Sequence, residues 1–113
     1  MDQQVKKYSD ITAEKITEWK ARYGADSLSE VTVVTGEDKS ARFVIRKPNR
    51  SLMDAVAQHG ISKNVTAANK VMINSCVLGG DMDDMERDGG VYTALLKEIE
   101  STLERYDSTV KKL

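Results

Sequence analysis

Apolar side chains recur three and four residues apart in some stretches of this chain and alternate in another, and the changes of period mark out its elements. In "SDITAEKITEWKARYG", Ile16, Trp19 and Tyr23 form one stripe at helical spacing. Asp10 or Thr12 can cap the start of that helix, Glu14 suits its N-terminal dipole, and Gly24 is placed to end it. "EVTVVT" and "ARFVIR" then alternate with period two around "GEDKS", which predicts a β-hairpin. Ala41, Phe43 and Ile45 share one face of the second strand, opposite Val31 and Val33, while Arg42, Val44 and Arg46 share the other. Pro48 cannot donate to a ladder, so the strand ends there or lies at an edge. Two strands alone are marginal, so helices must cover their inner face.

The helical period resumes at Ser51, where "SLMD" has the spacing of a capping box. Leu52, Met53, Val56 and Ala57 make the buried side of this helix and Gly60 closes it. Ser62 can cap the next helix, whose apolar face is Val65, Ala68, Met72 and Cys76, with Val71 beside them. The last segment is the most regular: Tyr92, Leu96, Ile99, Leu103, Tyr106, Val110 and Leu113 follow a 3.5-residue repeat, the period of a seam between paired helices. Ordinary core packing and docking of a helix from another chain are both open to such a stripe, with Tyr92 and Tyr106 the best anchors for docking. Asp107, Ser108 and Thr109 are poor helix formers, so residues 107–113 are expected to fray. Residues 1–9 are expected to be flexible, and the 113 residues to form a single domain.

Between the third and last helices lies "CVLGGDMDDMERDGG", five acids bracketed by two glycine pairs. As an EF-hand loop beginning at Asp81 it fails at Met85, Glu86 and Tyr92. It also lacks the lysine and spacing of a phosphate-binding loop. The structural reading explains more: Gly79 and Gly80 let the chain leave the third helix in a left-handed turn, Asp81 and its neighbours sit at helix N-termini, and Asp88 caps the last helix.

Charge and composition narrow the function. A net charge of -1 gives no long-range attraction to nucleic acid or acidic membranes. No apolar run is long enough to span a bilayer, no secretory signal pattern opens the chain, and one cysteine permits no internal disulfide, which together suggest a cytoplasmic setting. Cys76 falls on an apolar helix face and His59 beside a helix C-terminus, so neither is a good nucleophile or base. No catalytic, cofactor-binding or metal-ligating residues are expected. Arg42, Arg46, Lys47 and Arg50 form a basic patch on and after the hairpin, but no aromatic side chain interleaves them to stack on bases.

The helix "ITAEKITEWKARYG", the hairpin ending "RKP" and the stretch "NSCVLGGD" together resemble a group of small phage and prophage proteins, similar to tail assembly chaperones or their neighbours. The likeness rests on W-K-x-x-Y-G at Trp19–Gly24, R-x-P at Arg46–Pro48 and N-x-C-x-x-G-G-D at Asn74–Asp81. It implies a non-enzymatic α+β protein whose partner is another protein, a long helical tail tape-measure protein in the case of the chaperones, and a bacterial host cytoplasm as its setting. It brings no catalytic residues. Gly24, Pro48, Gly79, Gly80 and Asp81 look architectural within it, while the C-terminal segment departs from the group's pattern.

The fold expected is therefore α+β: an N-terminal helix, a β-hairpin, then three or four helices packed on one sheet face. The function expected is noncovalent binding of a helical partner through Tyr92, Leu96, Ile99, Leu103 and Tyr106. The alternatives are a self-assembling structural tail component and, with less support, a small nucleic-acid-binding regulator.

Overall fold

The computed structural model describes residues 5–104 and 106–113. Its elements are α1 (Ala13–Tyr23), β1 (Leu28–Gly36), β2 (Lys39–Arg46), α2 (Arg50–Ile61), α3 (Val65–Cys76), β3 (Val77–Gly80), α4 (Met82–Arg87) and α5 (Gly89–Thr102). The fold is α+β, with an N-terminal helix ahead of the hairpin and helices on its inner face. β1 and β2 pair antiparallel with Val31 opposite Phe43 and Val33 opposite Ala41. Their turn is tight, with Asp38 in the left-handed region at φ 60°, which aspartate tolerates better than most residues.

The hairpin has a third strand. β3 joins the far side of β2, giving the order β1-β2-β3 with Phe43 opposite Gly80 and Ile45 opposite Val77. The expected left-handed exit from α3 is thus replaced by a buried strand: Gly79 and Gly80 are not a hinge between helices. At Gly80 (φ +148°) an added Cβ would lie 2.5 Å from the Arg42 carbonyl oxygen and 2.6 Å from the Phe43 ring. At Gly79 it would lie 3.1 Å from Val5 Cβ and 3.2 Å from the Trp19 indole. Both glycines serve close approach, one to the backbone of β2 and one to Trp19 and the N-terminal segment.

The sheet is covered on both faces. On one, Val31, Ala41, Phe43 and Ile45 pack with Leu52, Met72, Ile73, Cys76, Met85, Val91, Leu95 and Ile99, which come from α2, α3, α4 and α5. On the other, Trp19 of α1 packs with Val44 and Leu78, flanked by Ile16, Tyr23 and Leu28. The face of Arg42, Val44 and Arg46 therefore lies under α1, because Val44 between the two arginines supplies the apolar contact.

The caps correct several boundaries. Thr12 caps α1, its hydroxyl accepting from the Lys15 amide at 3.1 Å, and Gly24 ends the helix at φ 93°. Asn49, not Ser51, caps α2, accepting from Leu52 N at 2.8 Å, because Pro48 holds the chain extended just before it. Asn64, not Ser62, caps α3. The tip of the α2–α3 hairpin stands clear of the core: Ala57 and Val65, expected inside, are exposed, and the buried side of α3 is Met72, Ile73 and Cys76.

The last helix stops at Thr102, and its buried stripe is Val91, Leu95, Ile99 and Thr102. Of the seven residues in the expected seam, Ile99 is wholly buried and Tyr92 and Leu96 lean on the core, whereas Leu103, Tyr106, Val110 and Leu113 follow the helix and are exposed. The seam is thus displaced by one residue onto Leu95, since α5 packs against the sheet and α3 rather than against a single partner helix.

Candidate functional site

Asp81 joins three separate parts of the chain. Its Oδ1 accepts from the Tyr8 amide at 3.0 Å and its Oδ2 from the Arg42 amide at 2.9 Å, while its own amide donates to the Arg42 carbonyl at 3.0 Å. The side chain does not cap α4. Alongside it the Gly80 amide donates to Val5 O at 3.0 Å and the Met82 amide to Lys6 O at 3.1 Å, so Val5 bridges to Gly79 as a short parallel addition to the sheet. Of the segment expected to be flexible, residues 1–4 lie outside the described residues, and from Val5 onward it is tied to Gly79, Gly80, Asp81 and Met82. Asp88 caps α5, accepting from Gly90 N at 2.9 Å.

The basic patch is divided among aromatic partners. Arg42 lies 5.5 Å from the Tyr8 ring centre and Arg46 4.9 Å from that of Tyr23, so the two arginines of one strand face brace both ends of the α1 layer. Arg46 Nε also donates to Ser75 O at 2.8 Å, meeting a carbonyl in the last turn of α3. Lys47 donates to the Tyr106 hydroxyl and sits 4.5 Å from its ring centre. The Tyr8 hydroxyl donates to Glu30, and that bond is the main cause holding its pKa above the usual tyrosine value. Lys39 and Arg50 are exposed. Three of the four cations of the patch thus lie against tyrosine rings.

Cys76 is fully buried, and burial pushes its thiol up to about 11, with Arg46 acting weakly in the opposite direction. Such a thiol packs as a small hydrophobe. Asp83 and Asp84 line a shallow depression with Asp81, Lys6, Lys7, Ser9 and Arg87, so the acids there face cations of the same chain. Among the described residues no cluster of three or more His, Cys, Asp or Glu could hold a metal ion, and no helix is long and apolar enough to cross a membrane.

The core leaves apolar side chains uncovered at the α2–α3 tip, after α5 and near the end of β1. Ile61 and Val65 are exposed at the α2–α3 tip, and Leu103, Tyr106, Val110 and Leu113 after α5. Among the described residues β1 has no strand on its outer edge, and Val34 is exposed near its end. The sequence, with a self-assembling component as one alternative, leaves both edges of the hairpin open; β3 takes that of β2, and the edge of β1, with Val34 on it, is the one that stays open. No protein-family model matches this chain, and neither does any curated protein or any solved structure.

Proposed function

We propose that this protein acts by noncovalent binding, as an assembly or chaperone-type protein of the phage tail kind, working in the host cytoplasm on a helical partner. The observation that carries the reading is the position of its exposed apolar side chains. Leu103, Tyr106, Val110 and Leu113 recur at spacings of three and four after the last turn of α5, outside the core. A segment of that pattern gains an apolar helical face only by ordering against another surface. Ile99 belongs to the core instead, and Tyr92 and Leu96 offer at most their outer flanks. The resemblance of the Trp19–Gly24, Arg46–Pro48 and Asn74–Asp81 motifs supplies the tail setting and the helical tape-measure protein as partner.

The test is to tag the chain, express it with the other products of its gene cluster, and compare wild type with Val110→Asp. Wild type should retain a long, helix-rich protein. Val110→Asp should weaken retention by about tenfold or more, the order expected for losing one buried valine contact, with unchanged circular dichroism and melting temperature. Equal retention by wild type and Val110→Asp contradicts the proposal. A second reading, a self-assembling structural component, is favoured by the free edge of β1. No comparable feature favours nucleic-acid binding: the side chains of Arg42, Arg46 and Lys47 each lie against a tyrosine ring.

A further inference from the structure

Among the described residues the sheet ends in an unprotected edge. β1 pairs with β2 on one side only, and among the described residues none of the hydrogen bonds is a ladder bond to its outer side. Over its nine residues it carries one charge, Glu30, and neither lysine nor proline, the devices that usually keep such an edge from pairing. Beside it runs an open groove of about 180 Å³ lined by Ile16, Lys20, Leu28, Ser29, Glu30 and Val44. The chain also contains one segment with no place in the fold: residues 107–113 have no regular secondary structure and are exposed throughout, Val110 at 97%.

We infer that residues 107–113 of one copy add as an extra strand along β1 of the next copy, with Val110 entering the groove beside Ile16, Leu28 and Val44. The inference rests on the proposed binding role and gives the exposed segment an occupied state when no other protein holds it. The lengths agree, since a seven-residue strand spans roughly 23 Å and a nine-residue edge roughly 30 Å. Thr109 and Val110 are β-branched, as suits a strand. Charge also agrees: residues 25–38 carry Asp26, Glu30, Glu37 and Asp38 and no base, while residues 107–113 carry Lys111 and Lys112 against Asp107. Strand alternation sets Val110 and Lys112 on one face, matching Leu28 and Glu30, which share one face of β1 and line the groove. At 97% exposure Val110 does not fill the groove of its own molecule. The donated segment and the accepting edge are different surfaces, so the contact is head-to-tail and propagates to a ring or filament.

The test is the solution mass of the full chain by light scattering across the micromolar to millimolar range, for wild type, Val110→Asp and Val34→Lys. Both substituted residues are exposed, at 97% and 76%, so the fold should be retained, and circular dichroism checks it. Wild type should assemble with rising concentration, and each variant alone should stay at the monomer mass of 12.6 kDa. Mixing the variants should give a species of twice that mass, because one keeps a working edge and the other a working segment. A wild type that stays monomeric overturns the inference. So does a Val110→Asp variant that assembles like wild type, the behaviour of edges pairing directly with each other, or a mixture that yields no dimer. A monomeric wild type that still retains a helix-rich protein through Val110 sinks the self-docking alone; loss of both sinks the proposed function as well.

Discussion

At the scale of single residues, the Gly79-Gly80-Asp81 triplet is where sequence and structure meet most tightly. Gly80 has no room for a methyl group against rigid backbone, and Gly80→Ala should cost about 3 kcal/mol or more by the overpacking of a fixed site. Asp81→Ala removes both acceptors of two amides and should cost about 2–3 kcal/mol, from lost hydrogen bonds to a charged group. Urea denaturation measures both, and a loss below 1 kcal/mol in either would contradict these roles. Cys76 makes a different prediction. Burial pushes its thiol up to about 11, from about 9 for an exposed thiol, so the folded state holds that proton more tightly. The stabilisation is complete below pH 9 and is lost as pH rises toward 11. Unfolding midpoints should therefore fall between those pH values in wild type and fall less in Cys76→Ala.

At the scale of elements, α5 decides which apolar positions are structural. Leu95 is wholly buried and Leu103 is exposed. Leu95→Ala should cost about 2–5 kcal/mol, whereas Leu103→Asp should change stability by less than about 0.5 kcal/mol; thermal unfolding of the two variants separates them. These two leucines also show how far the sequence could be read. Val91, Tyr92, Leu95, Leu96 and Ile99 form a band wide enough to hold two neighbouring stripes, and periodicity alone cannot say which one faces the sheet. The hairpin, α1 and its Gly24 terminus were legible because alternation, spacing and a left-handed glycine all agree there. β3 was not: four residues following a helix without a break, two of them glycines, carry no measurable period. The Asp81 contacts were illegible for another reason, since they join residues 73 and 39 positions apart. A hairpin has two free edges, and which of them stays open followed only from β3 taking the other side of β2.

At the scale of the whole molecule, a three-stranded sheet lies between α1 on one face and α2, α3, α4 and α5 on the other, with β2 central and buried from both sides. On the α1 face, Arg42 lies against Tyr8 ahead of α1 and Arg46 against Tyr23 at its end. The apolar side chains that this core leaves exposed lie at the α2–α3 tip, near the end of β1 and after Thr102, and the proposed binding surface is the last two of these. Hydrogen exchange resolved along the chain tests this most directly, comparing dilute protein with protein that is assembled or bound to its partner. The account predicts that amides of residues 106–113 exchange fast in dilute protein and become protected on binding, together with those of β1 when copies associate. Protection that appears instead over Tyr92–Ile99, with residues 106–113 exchanging as fast as before, would contradict it.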